Sequence, residues 1–133
     1  MLVLDGKNAV LGRMATQVAK KLMKGEEVNI INAERIIITG NPDSIKKKYH
    51  FRREVGSPHH GPFFPKQSNL IVRRAIRGML PYKTNKGRAA FKRLKVYIGT
   101  PADLSGKAES IAVKEIKSSY ITIGELSKVI GGK

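Results

Sequence analysis

The chain opens with a short apolar run, "LVLD", that is too brief for a helix and is followed by a glycine-bearing loop, which reads as a strand entering a turn. From Leu11 the period changes. Leu11, Met14, Ala15, Val18, Ala19 and Leu22 recur at helical spacing, Arg13, Gln17, Lys20 and Lys24 fall on the opposite side, and Gly25 stands where a helix stop is expected. The pattern predicts a helix that buries one face and wets the other. Next, "VNII" and "RIIIT" are unbroken apolar runs rich in β-branched residues, which suits strands covered on both faces. Strand, helix, strand in that order implies a layered α/β fold with a sheet.

The middle of the chain reads as basic helices separated by breakers. Asn41 is placed as an N-cap with Pro42 at the first helical position and Asp43 near the positive end of the helix. Residues 56–66, "GSPHHGPFFPK", hold three prolines and two glycines, so this stretch is expected to be a loop. Ser68 or Asn69 can cap a second basic helix running through Met79, with Pro81 ending it. Asn85 can cap a third, from about Lys86 to Lys95, after which "VYIG" reads as a last buried strand. Towards the end Thr122 and Glu125 have the spacing of a capping box before a short helix that glycine closes. No internal repeat or linker interrupts the 133 residues, which are read as one domain with a basic region at 46–95 and a tail at 102–133.

Charge sharpens this picture. The formal net charge is +16, and residues 46–95 hold 15 Lys and Arg against Glu54 alone. No Asp or Glu occurs from Val55 to Ala102. A solvated face would intersperse the two signs, whereas a one-sign block calls for a polyanion, and nucleic acid is the natural one. On a helical wheel Arg88, Lys92 and Lys95 fall within about 60° of one another beside Ala90, Phe91 and Leu94. In the second helix Arg73, Arg74 and Arg77 form a stripe, with Val72, Ala75, Ile76 and Met79 pointing the other way. Each helix is thus expected to dock its apolar half on the sheet and press its cationic half on phosphates. Between them Tyr82, Lys83, Thr84, Asn85 and Lys86 form either a phosphate-facing turn at a helix start or an ordinary polar turn. Tyr49, His50, Phe51, His59, His60, Phe63 and Phe64 supply rings that either stack on unpaired RNA bases or, for the phenylalanines, pin the loop to the core.

Other functions fit less well. Gly6 and Gly12 do not make a dinucleotide or phosphate-loop fingerprint, no acid is placed to hold ribose, and no catalytic set is expected. With no Cys and only three His, a metal or other cofactor is not expected either. Zinc-finger, basic-zipper, aromatic RNP and GxxG signatures are absent, which favours recognition of RNA shape and backbone over sequence reading. The opening residues lack a basic region followed by a long apolar run, and no stretch approaches the roughly 20 apolar residues of a membrane span. The apolar faces lack Trp and are needed by the core, so a membrane-coating role is not expected. The protein is expected to be soluble and intracellular.

At "RGMLPYKTNKGRAAFKRLKVYIGTP" the sequence closely resembles the large-subunit ribosomal protein L-thirteen family in its archaeal and eukaryotic form. "DGKNAVLGRMATQVAKKL", "VNIINAERIIITGN" and "HHGPF" agree, and the likeness runs from about residue 2 to 101. The resemblance implies a three-layer α/β/α domain with a four-stranded, mainly parallel sheet, lodged in large-subunit ribosomal RNA beside neighbouring ribosomal proteins, in the cytoplasm, and present early in subunit assembly. It implies no small-molecule substrate. Carried over by position, the RNA-binding residues are Arg77, Lys83, Thr84, Lys86, Arg88, Lys92, Arg93 and Lys95, with Arg13, Arg52, Arg53, Arg73 and Arg74 as further candidates and His59 and His60 in the basic loop. Met79, Leu80, Ala90 and Leu94 would pack behind them. The eukaryotic members continue into a C-terminal helical extension, and contacts of that extension are not expected of a chain that stops at Lys133.

Overall fold

The computed structural model describes residues 2–54, 67–104, 108–110 and 119–130, a mixed α/β arrangement of helices around a mainly parallel sheet. Strand β1 (Leu2–Asp5) leads into helix α1 (Leu11–Met23), which returns the chain to β2 (Val28–Ile31), parallel to β1 in the register Leu2 to Val28 and Asp5 to Ile31. Helix α1 buries the six residues that its periodicity singled out, Leu11, Met14, Ala15, Val18, Ala19 and Leu22, and leaves Arg13, Gln17, Lys20 and Lys24 exposed. Its end is a Schellman motif. Gly25 takes φ +96°, its N–H donates to Leu22 O at 3.1 Å, and Glu26 N–H donates to Lys21 O at 3.2 Å.

The strand runs do not all join one sheet. β4 (Leu94–Val96) pairs parallel with the far side of β2, and the two residues of β5 (Glu109–Ser110) pair parallel with β1. The four full strands that the family resemblance implies are therefore not met: three of them make the parallel sheet, with a two-residue pairing at its edge. The run expected at "RIIIT" goes elsewhere. Asn32 in the left-handed region (φ +55°) opens a 3-10 turn, Ala33–Arg35, and β3 (Ile37–Thr39) then pairs antiparallel with β6 (Tyr120–Thr122). The reason is chain length, because a parallel crossover needs about a dozen residues or more and only Asn32–Ile36 separate β2 from β3. Helix α5 (Ile123–Val129) follows β6 directly, and Thr122 Oγ1 accepts from Glu125 N–H at 3.3 Å, the cap expected there.

The two sheet faces are covered differently. Leu4, Val28, Ile30, Leu94 and Val96 join the large core with α1 and two further helices, α3 (Ser68–Arg77) and α4 (Asn85–Lys92). On the other face Val3 and Ile31 meet Leu104 of the 3-10 turn Ala102–Leu104, with Tyr97 and Ala108 beside them. Helix cover on both faces was expected; among the described residues a single 3-10 turn serves the second one. Helix α2 (Pro42–Glu54) begins as its sequence predicts, with Asn41 Oδ1 accepting from Asp43 N–H at 2.9 Å, and lends Ile45 and Tyr49 to the rim of the core.

Two boundaries differ from the sequence reading, and both matter for the cations. Helix α3 starts after Gln67, without a side-chain cap, and Ser68 is buried instead of capping. Helix α4 starts one residue early, capped by Thr84 and not Asn85, and stops at Lys92. Arg93 forms the C-cap and Leu94 already belongs to the sheet, because Leu94 and Val96 alternate as buried positions about exposed Lys95. Alternation with period two is a strand signal, and a helical wheel drawn through Lys95 overrides it.

The turn between α3 and α4 is tight. A Cβ on Gly87 would collide with the Pro81 carbonyl and come within 3.0 Å of Tyr82 N, so only glycine lets the start of α4 lie against this turn. Gly-to-Ala in a helix ordinarily stabilises by about 0.5–1 kcal/mol. Here the clash dominates, and Gly87→Ala is expected to lower the unfolding free energy by about 1–3 kcal/mol in urea titration; a stabilised variant would refute this close approach. Leu94→Ala removes a core side chain that is 2% exposed and is expected to cost about 2–5 kcal/mol in the same measurement.

Candidate nucleic-acid interface

The basic residues fall into separate groups once the fold is known. The largest lies on α3, on the turn from Pro81 to Thr84, and on α4. Helix α3 buries Ile71, Val72 and Ile76, keeps Arg73 and Arg74 half-buried, and exposes Arg77. Helix α4 buries Gly87 and Ala90 and exposes Lys86, Arg88 and Lys92; Lys83 is exposed on the turn before it. The division into an apolar half and a cationic half is therefore present on both helices. Met79 departs from it: expected to pack inward, it is 47% exposed, while Leu80 next to it is buried and takes its place in the core.

Aromatic rings tie this group together. The Arg77 guanidinium lies over the Tyr82 ring, 4.1 Å from its centroid. Tyr82 meets Phe91 edge to face, with centroids 5.5 Å apart and planes at 86°. The Arg73 guanidinium lies over Phe91 at 4.5 Å. Arg73 Nε is buried without a hydrogen-bond partner, as is Asn69 Oδ1 one turn earlier, so the stack on Phe91 is what fixes this guanidinium. Arg88 is anchored differently, its Nε donating to Tyr82 O at 3.2 Å. The sequence places Tyr82 on a turn that is either phosphate-facing or merely polar, and Phe91 on the core side of its helix. The missed signal was that Tyr82 and Phe91 share an acid-free segment with Arg73, Arg77 and Arg88.

Thr84 serves the turn. Its hydroxyl donates to Pro81 O at 2.7 Å and accepts from Gly87 N–H at 3.1 Å, so its proton is committed within the protein. Arg93 is half-buried, and its Nη1 donates to Leu22 O at 2.8 Å, closing the C-terminal end of α1. The expected stripe of Arg88, Lys92 and Lys95 is not formed. Lys95 is exposed on β4, on the sheet face opposite Leu94 and Val96, and Leu94 belongs to the strand. Arg13 is exposed at the start of α1, where with Thr16, Ile38, Ala75 and Met79 it lines an open groove of about 450 Å³ near the end of α3. Arg52 and Arg53 lie in the last turn of α2. His59 and His60, with the loop that contains them, lie outside the described residues, and the side chains of His50, Arg52 and Arg53 do too.

In open α/β sheets small ligands bind beyond the carboxyl ends of the strands. Here those ends are stitched to one another. Gly6 N–H donates to Ile31 O at 2.9 Å, Asn32 N–H to Gly99 O at 2.9 Å, and Ala33 N–H to Tyr97 O at 3.1 Å. The carboxylates at this end hold loops: Asp5 Oδ1 accepts from Lys7 N–H and Asn32 Nδ2, and Glu34 Oε2 accepts from Gly99 N–H. Among the described residues no group of three or more His, Cys, Asp or Glu could hold a metal ion, and no helix is long and apolar enough to cross a membrane.

Comparison with known proteins places the chain in a family. Residues 1–103 match the family described as Ribosomal protein L13. The large ribosomal subunit protein uL13 of Methanocaldococcus jannaschii is 50% identical over 100% of this chain and 99% of its own length. The protein of the same name from Methanopyrus kandleri is 46% identical over 97% of this chain and 86% of its own, and that from Thermoplasma acidophilum is 43% identical over 99% of each. These relatives are ribosomal proteins and not enzymes, and with a match of this extent the chain belongs to the ribosomal protein L13 family.

Proposed function

We propose that the protein is a structural constituent of the large ribosomal subunit, in the cytoplasm, that binds and stabilises large-subunit ribosomal RNA early in assembly and meets neighbouring ribosomal proteins there. The observation that carries this reading is the unit of α3, turn and α4: its inner side is core, its outer side bears Arg77, Lys83, Lys86, Arg88 and Lys92, and no carboxylate occurs from Val55 to Ala102. Half-buried Arg73 and Arg74 flank that side. Membership of the L13 family supports a ribosomal RNA as the polyanion. Arg13 extends the surface along α1, and Arg52, Arg53, His59 and His60 are assigned to it from sequence alone. Thr84, itself exposed, contributes by capping α4. Arg93 and Lys95 are kept as weaker members of the set, the first because its Nη1 is bonded to Leu22 O and the second because it is exposed on β4 and not on α4. The three-layer form that the family resemblance implies belongs to the same reading, supported by apolar clusters on both sheet faces.

Binding of this kind depends steeply on salt, since each neutralised phosphate releases counterions. For full-length protein and transcribed large-subunit ribosomal RNA, a log–log plot of affinity against salt is expected to be steep. Replacing the exposed Lys83, Lys86 and Lys92 together by Gln preserves helix propensity, the apolar faces and the arginine contacts to Tyr82. That variant is expected to keep its melting temperature and to lose about one unit of slope per phosphate contact removed. A flat plot for the native protein would defeat the reading. Arg93→Gln is expected to behave in the opposite way. Loss of a charged hydrogen bond costs about 1–3 kcal/mol of stability, and the salt slope should stay as it was; a reduced slope at unchanged stability would put Arg93 on the RNA.

A further inference from the structure

We propose, building on the RNA-binding reading, that Tyr82 is the positioning residue of the interface: it holds the guanidiniums of Arg77 and Arg88 in place, un-neutralised, as a paired donor site for phosphodiester oxygens of RNA. Two contacts to one residue carry the idea. Arg77 lies on the Tyr82 ring at 4.1 Å, and Arg88 Nε donates to the Tyr82 carbonyl at 3.2 Å. Both arginines are otherwise exposed, and they come from different helices, so Tyr82 is what brings them to one place.

Tyr82 is itself fixed from several sides. Its ring edge-packs on Phe91, which carries Arg73 on another side. Its N–H donates to Leu80 O at 2.8 Å, and Gly87 leaves room for its backbone against α4. A fixed ring attracts a guanidinium through its negative face. A carboxylate would attract it too, but would consume the in-plane N–H groups that recognise phosphate in pairs. Stacking leaves those groups free. For Arg88 the backbone carbonyl takes Nε–H and leaves both terminal nitrogens. Each cation is therefore ordered before RNA arrives while its charge and its outward donors remain available, which lowers the entropy lost on binding.

The test is a double-mutant cycle on the full chain with transcribed large-subunit ribosomal RNA. Tyr82→Leu is expected to weaken binding about two- to fivefold, the range of an exposed cation–π contact, and Tyr82→Phe is expected to bind like the native protein. In the Arg77→Gln background Tyr82→Leu should cause no comparable loss. Equal losses in both backgrounds, or a loss on Tyr82→Phe, would overturn the positioning role while leaving RNA binding intact. Arg77→Lys guards against a Tyr82→Leu variant that fails to fold, because Arg77 is exposed. A stacked, forked guanidinium predicts that Arg77→Lys binds more like Arg77→Gln than like the native protein, and native affinity in Arg77→Lys would refute it. If the native protein shows no salt-dependent RNA binding, it is the RNA reading that fails, which separates the two conclusions.

Discussion

Fixing a dense set of cations without neutralising them is the constraint on which this structure turns. Ordinary proteins order surface arginines with carboxylates, and ion pairs of that kind would defeat a surface meant for phosphate. From Val55 to Ala102 the chain contains none. Arg73 and Arg77 are held by the π faces of Phe91 and Tyr82, and Arg88 by a backbone carbonyl. Each of these partners is uncharged, so the positive potential reaches the surface undiminished.

That arrangement depends in turn on the fold behind it. Rings can order guanidiniums only if they are themselves immobile, and Phe91 packs against the core that α1, α3 and the sheet share. The turn joining α3 to α4 must also be close, which Gly87 and the doubly bonded Thr84 hydroxyl secure. Arg93 shows the same chemistry put to another use: one guanidinium hydrogen bond fastens the junction of α4 and β4 to the end of α1. The carboxyl ends of the strands, where α/β enzymes place their substrates, are joined here by loop-to-loop hydrogen bonds, consistent with a scaffold whose working surface is elsewhere.

Much of this was legible before the structure. The buried face of α1, the Gly25 stop, the Asn41 and Thr122 caps and the two-sided character of α3 and α4 all follow from local rules of period and capping. What escaped was set by short connections and tertiary contacts. "RIIIT" looks like any other buried strand, and only the five-residue link before it forbids a parallel neighbour. Lys95 satisfies a helical wheel and a strand alternation equally well, and the sheet edge decided between them. Met79 and Leu80 are adjacent and similar, so which one faces the core depends on where α3 ends. The ring ladder was the least visible, since Arg77 and Tyr82, or Arg73 and Phe91, meet only when the turn brings α3 and α4 together.

The most direct test of the central claim is the amine reactivity of individual lysines, measured by acylation and mass spectrometry with and without large-subunit ribosomal RNA. Lys83, Lys86, Lys92 and Lys95 are all exposed in the free protein, so each starts reactive. With RNA bound, the first three are expected to lose most of their reactivity, whereas Lys95, on the other face of the sheet, should lose far less. Protection of Lys95 with Lys83, Lys86 and Lys92 left reactive would contradict the account and place the RNA on the opposite side of the molecule.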